Sequence, residues 1–236
     1  MPGARLDRIL ARLADSDLVA SARLCAMCAE ATEMSGAGIM LMSGDLPQGS
    51  VCTTDAVSLL IEDLQYTLGE GPCVDAYQHD RPVLEPDLAA PITNRWVAFT
   101  PPAVEAGVRA VFGFPLSVGA ARLGALNLHR DRPGQLTADQ HTDALVMAGL
   151  AARAVIAMQA DAPPGAIGVE LADGADFQFV GHQAAGMVSV QLGVSVADAL
   201  IRLRAHAFQQ DRRFADVARD VVGRRLRLTD DADRPT

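Results

Sequence analysis

The stretch Val108-Arg109-Ala110-Val111-Phe112-Gly113-Phe114-Pro115-Leu116-Ser117-Val118-Gly119-Ala120-Ala121-Arg122-Leu123-Gly124-Ala125-Leu126-Asn127-Leu128-His129-Arg130 decides the fold. It reads as two strands, 108–118 and 122–130, with a hairpin-type link at 117–121. In the second strand Leu123, Ala125, Asn127 and His129 alternate against Gly124, Leu126 and Leu128. A tight link makes the two strands antiparallel neighbours.

Helical and extended patterns surround the hairpin. Leu18 to Met34 has a helical spacing of Leu18, Ala22, Cys25, Ala29 and Thr32. Residues 38–42 and 51–54 are short strands, 56–66 is helical, and 72–79 opens on proline, which suits a first helical turn. Val83-Leu84 is a short strand, and 95–106 is part-helical with Pro101-Pro102 expected to interrupt it. A helix over 138–159 starts with a Thr137/Gln140 capping box and carries Leu145, Ala148, Ala152 and Val155 as its apolar stripe. Hairpins flanked by terminal helices point to an α+β unit rather than a doubly wound sheet. Neither usual glycine-rich nucleotide motif is present.

Asp161-Ala162-Pro163-Pro164-Gly165 breaks the chain. The expected organisation is an extension at 1–15, a first domain at 16–159, a linker at 160–176, a three-helix domain at 177–228 and a tail at 229–236. The expected helices of the second domain cover 178–192, 195 to about 208 with Ser195 as N-cap, and 212–222. In the first of these, Val180, Ala184, Met187 and Val188 face inward, while His182, Ala185 and Ser189 face outward beside Gly186. In the second, Ala199, Leu200, Leu203 and Ala207 form one apolar side, and Ile201, Ala205 and Phe208 form another.

Half of the 236 residues are hydrophobic, enough for a substantial core. The net charge of −9 is uneven: residues 177–228 hold eight arginines against four aspartates, leaving −13 on the remainder. Such a basic segment on an acidic chain suits a polyanionic partner or a solvated arginine face. The chain has no lysine, so every side-chain cation besides histidine is a planar guanidinium. The apolar run 144–152 is too short for a bilayer, and the first residues lack a signal-peptide layout. The expectation is a cytoplasmic protein that is neither an enzyme nor a membrane protein.

Two motif sets then carry a family likeness. His182-Gln183-Ala184-Ala185-Gly186-Met187-Val188, Gly193-Val194-Ser195, Ala199-Leu200, Leu203-Arg204, Ala207, Arg212 and Asp216-Val217-Ala218 resemble the ANTAR domain, over about 177–226. Leu68-Gly69-Glu70-Gly71-Pro72-Cys73, Gly113-Phe114-Pro115-Leu116 and Leu123-Gly124-Ala125-Leu126-Asn127-Leu128 resemble a GAF sensor domain of the kind joined to ANTAR in actinobacteria, over about 16–158. The resemblance implies a dimeric antitermination regulator that binds paired RNA hairpins in leader transcripts under GAF control. It implies RNA contact at or near Ala185, Gly186, Arg204 and Arg212, and helical geometry adds Arg219. Many ANTAR members have lysine where this chain has Ala185, and the coiled-coil lead-in of some is replaced by the proline–glycine linker. The resemblance also implies that the first and last GAF helices, here 18–34 and 138–159, can pack in a dimer.

Other candidates stand outside the likeness. Cys73 follows proline at a helix start, where a thiolate is stabilised, so redox or ligand sensing is one reading. Cys25 and Cys28 form a C-x-x-C without a second pair, which suits small buried hydrophobes better than zinc. No metal site and no disulfide framework are expected. His79 and His129 can line a sensor cavity, whose small-molecule ligand the sequence leaves unnamed. Glu85 and Asp87 lack a partner for acid–base work. The alternatives are a DNA-binding regulator using the same helices, and a sensor whose helical tail contacts proteins.

Overall fold

A computed structural model describes residues 21–43, 46–91, 93–160, 176–210 and 212–229. The chain divides into two compact units between residues 174 and 175. The expected linker at 160–176 and the extension at 1–15 lie almost wholly outside the described residues.

In the first unit the described elements run α1 (Ser21–Thr32), β1 (Gly36–Ser43), β2 (Leu46–Thr53), α2 (Ala56–Leu68), α3 (Pro72–His79), β3 (Val83–Glu85), α4 (Thr100–Glu105), β4 (Ala110–Val118), β5 (Ala121–Arg130) and α5 (Ala138–Ala160). The five strands form one sheet in the order β2-β1-β5-β4-β3, and every pairing is antiparallel. The expected hairpin is β4–β5, turned at Gly119, whose φ of +60° glycine tolerates at little cost. Pro101 and Pro102 do not interrupt a helix. They open α4, where a missing N–H costs little.

Each strand divides its side chains between two layers. One face carries Ala37, Ile39, Phe112, Phe114, Leu116, Leu126 and Leu128, all buried against α1 and α5. The capping box of α5 forms as expected: the Thr137 N–H donates to Gln140 Oε1 and the Gln140 N–H to Thr137 Oγ1, each at 3.1 Å. Its inward stripe is Ala144, Met147, Ala148, Ala151, Ala152 and Val155, whereas Leu145, expected in the stripe, is exposed. By length and composition this 23-residue helix could cross a membrane, which the sequence reading did not anticipate. Its buried face belongs to the sheet core.

The cysteines depart from expectation. Cys25 on α1 is disulfide-bonded to Cys52 on the edge strand β2, so the C-x-x-C does not act as a pair. Cys28, one turn on, is a buried thiol whose pKa burial pushes up to about 12.

The second unit contains α6 (Asp176–Leu192), α7 (Val196–Gln209) and α8 (Phe214–Val222). Ser195 caps α7 by accepting the Asp198 N–H. The core is small and alanine-rich: Ala184, Ala185, Val188, Ala199, Leu203, Ala207, Phe214, Val217, Ala218 and Val221 are buried.

Candidate functional site

The second face of the sheet is polar and glycine-rich. Register places Gly38 of β1 opposite Asn127 of β5, and Asn127 opposite Gly113 of β4. Two residues along, Gly36 stands opposite His129 and His129 opposite Val111. These residues share one face by alternation, and α2 and α3 cover it. The glycines permit the covering. A β-carbon on Gly113 would lie 2.2 Å from the Pro72 carbonyl oxygen at the start of α3. On Gly36 it would lie 2.3 Å from His129 Cε1 and 2.6 Å from Ser58 Oγ.

Beneath those helices the polar groups are under-bonded. Glu62 of α2 is 2% exposed, and neither carboxyl oxygen has a hydrogen-bond partner. The same holds for both amide atoms of the fully buried Asn127, for Gln65 Nε2 and for His129 Nδ1. Native cores rarely leave such groups unpaired, because desolvation without a partner is costly. Burial pushes the Glu62 carboxyl well above the usual range and Asp63 adds to the push; the Asn127 amide opposes it from nearby without completing a well-formed hydrogen bond. Burial holds the His129 imidazole below its usual range, against the pull of Asp55 and Asp131.

Cys73 lies in the same layer, but not as an activated thiol. Its N–H donates to Gln65 Oε1 at 2.7 Å. Its side chain is fully buried, and burial, then the nearby Glu62, push its pKa well up. Desolvation outweighs the helix N-terminus expected to favour the thiolate.

The surrounding motif acts structurally. Gly69 ends α2 in the left-handed region at φ +67°, and Gly71 takes φ +136° where a β-carbon would strike Gln65. Glu70 Oε1 accepts the N–H groups of Ala98 at 2.7 Å and Phe99 at 2.8 Å, fixing the loop before α4. Trp96 Nε1 donates to Asp75 Oδ2 at 3.0 Å, and Arg95 stacks over the Trp96 ring while lying 3.9 Å from Glu85. Burial raises the Glu85 pKa despite Arg95. His79 is exposed, with Nδ1 bonded to the Asp75 carbonyl, so of the two histidines expected to line a cavity only His129 faces the buried layer. Among the described residues, no group of three or more His, Cys, Asp or Glu could hold a metal ion.

In the second unit the arginines are largely engaged. Arg212 pairs with Asp220 at 2.6 Å, and Arg219 with Asp216 at 2.5 Å. Asp220 also accepts from Arg225 Nε at 2.8 Å. Arg204 is only 8% exposed and lies near enough to help burial lower the His182 pKa. Ala185, expected on the outer side of its helix, is completely buried, and Gly186 is half-buried. Arg224 and Arg227 are exposed. The expected second apolar side of α7 is exposed at Ile201, Ala205 and Phe208. The sequence reading missed Asp216 and Asp220 as partners, although their spacing from Arg219 and Arg212 was legible. It also missed Glu62 on α2, and Asn127, whose signal was a polar residue alternating with apolar ones in a strand between glycine-bearing strands.

The fold matches known structures. The GAF domain from a phosphoenolpyruvate-protein phosphotransferase of Coxiella burnetii is similar at TM-score 0.54 and 14% identity, covering 67% of this chain and 95% of that one. The corresponding Acinetobacter domain is similar at TM-score 0.51 and 13% identity, covering 68% and 96%. No curated protein matches the sequence. The GAF domain family profile matches residues 22–156, more than half of the chain. With its antiparallel sheet between two helical layers, this chain belongs to the GAF domain family.

Proposed function

We propose that the chain is a signal-responsive RNA-binding regulator of transcription antitermination. In this reading the GAF unit senses a small molecule at Glu62, Asn127 and His129. The three-helix unit, read as an ANTAR domain, binds paired RNA hairpins in leader transcripts. The observation that carries the reading is the pairing, in one chain, of a sensory fold having unpartnered buried polar groups with a separate helical unit rich in arginine. The chain works as a cytoplasmic homodimer, so two tethered modules engage two hairpins at high effective concentration.

The engaged arginines are compatible with this role. An exposed ion pair is weak because water screens it, so a phosphate can displace Asp216 or Asp220 at small cost. Arg224 and Arg227 already face solvent. The test is gel-shift titration of the full chain with paired hairpins, single hairpins and duplex DNA at several salt concentrations. Paired hairpins should bind tightest, with affinity falling as salt rises. Arg212→Ala with Arg219→Ala should weaken binding while the helical circular dichroism is kept. Stronger binding to duplex DNA would replace the reading with a DNA regulator.

One observation favours a second reading. Ile201 and Phe208 are 54% and 59% exposed on one side of α7, a face suited to another protein. A chain that shows no retention on RNA or heparin would be a sensor with a protein-interaction tail.

A further inference from the structure

The helices over the polar face carry charge of one sign. From Asp55 to His79 the sequence has Asp55, Glu62, Asp63, Glu70 and Asp75, and neither lysine nor arginine. Asp55 accepts the Ser58 N–H at the start of α2, Glu70 binds two loop amides, and Asp75 takes the Trp96 N–H. Glu62 differs. Its carboxyl is buried over Gly38 with both oxygens unpartnered, and a β-carbon there would lie 2.7 Å from Oε1. The described arginines near this layer are committed elsewhere: Arg95 lies against Asp75 and Glu85, and Arg122 against the Tyr77 carbonyl.

We infer that this site takes a small organic cation bearing N–H donors, an ammonium or amidinium group, with Glu62 as its counter-charge and Asn127 as its second hydrogen-bond partner. The inference rests on the sensor reading above and names the class of its ligand. An anion would enter a helical layer in which the Asp and Glu residues from Asp55 to His79 meet no lysine or arginine. Asn127 offers an acceptor in Oδ1 for the ligand and a donor in Nδ2 for the carboxylate, and Gln65 Nε2 offers a further donor. A buried ion pair is tolerable only when its remaining lone pairs are bonded in this way.

The proton balance follows. The groups around Glu62 are Asp63 on its own helix, Cys73 from α3, and Asn127 and His129 on one face of β5; burial disfavours the imidazolium form of His129. Burial, with Asp63 beside it, therefore favours the protonated carboxyl until a cation is supplied. When the cation binds, the Glu62 proton leaves to solvent and a carboxylate–ammonium pair forms. Binding releases one proton and strengthens as pH rises.

Calorimetry on the full chain tests this. The cationic probes are agmatine, tyramine and benzamidine; cyclic AMP is the anionic probe and adenosine the neutral one. A cationic probe is expected to bind, with heats that differ between phosphate and Tris buffers by about one proton per ligand. Glu62→Gln should weaken binding at least tenfold and abolish the proton release. The wild-type proton count stands alone if that variant fails to fold. Binding of cyclic AMP or adenosine in preference to every cation overturns the ligand class and leaves the sensor reading standing. Cation binding without proton release, unchanged in Glu62→Gln, also overturns the inference. Failure of all five probes, with no small molecule seen on the purified chain by native mass spectrometry, overturns both.

Discussion

Gly38 is the floor beneath Glu62: a β-carbon at that position would stand 2.7 Å from the carboxyl oxygen. The strand must therefore lack a side chain there for α2 to settle on the sheet. Gly38→Ala should cost about 1–3 kcal/mol through overpacking. Gly149 supplies the contrast, because a β-carbon there meets nothing within 4 Å. Gly149→Ala, inside α5, should stabilise by up to about 1 kcal/mol. Urea unfolding followed by Trp96 fluorescence checks both. Trp96 is the single tryptophan and is buried in this unit, so the signal reports on it alone.

The disulfide ties the first helix to the edge strand. Cys25 and Cys52 are 27 residues apart, and closing a loop of that length restricts the unfolded chain by about 3–4 kcal/mol. Reduction should lower the urea midpoint by a matching amount, and Cys25→Ser should show the same loss without reductant. Cys28 and Cys73 are buried and poorly ionised, so native-state alkylation of the oxidised chain should be negligible and should rise only on unfolding.

Two buried groups give opposite pH signatures. The folded pKa of His129 is depressed, so the unfolded chain binds the extra proton first. Its contribution is complete above the ordinary histidine pKa and is lost as pH falls below it. The folded pKa of Glu62 is raised, so the folded chain keeps a proton that the unfolded chain releases. That contribution is complete below the ordinary carboxyl range and declines as pH rises through the folded pKa. Urea midpoints measured from pH 4 to 9 should show both slopes. His129→Gln should flatten the rise on leaving acid, and Glu62→Gln should flatten the decline above the ordinary carboxyl range.

Much of the scaffold was legible because it follows from local rules. The alternation of Asn127 and His129 against Leu126 and Leu128 gave the two faces of β5, and Thr137 with Gln140 gave the start of α5. The burial of Ala185 was not legible. Helical spacing ranks faces by side-chain size, and an alanine-rich helix such as α6 offers little contrast between its sides. The Cys25–Cys52 bond was hidden for another reason: it depends on how α1 meets the edge strand, a tertiary fact that spacing does not encode. Glu62 was obscured because a carboxyl two residues from Leu60 on an amphipathic helix ordinarily reads as solvated.

Asp220 holds Arg212 and Arg225 together, so one carboxylate engages two of the second unit's guanidiniums. Hydrogen bonds from Arg212 and then Arg225 hold its carboxyl below the usual aspartate range. A depressed folded pKa gives stability that is present above the unfolded aspartate pKa and is lost as pH falls through the folded value. Asp220→Asn should therefore unfold the helical unit less steeply on acidification than wild type, as followed by circular dichroism at 222 nm between pH 5 and 2. It should also release both guanidiniums at neutral pH. Elution from heparin should then shift to higher salt and, on the proposed RNA-binding reading, hairpin RNA should bind more tightly with a steeper salt slope. An unchanged slope would mean that neither arginine reaches a phosphate, leaving other arginines, Arg213, Arg224 and Arg227 being exposed among the described residues, to serve.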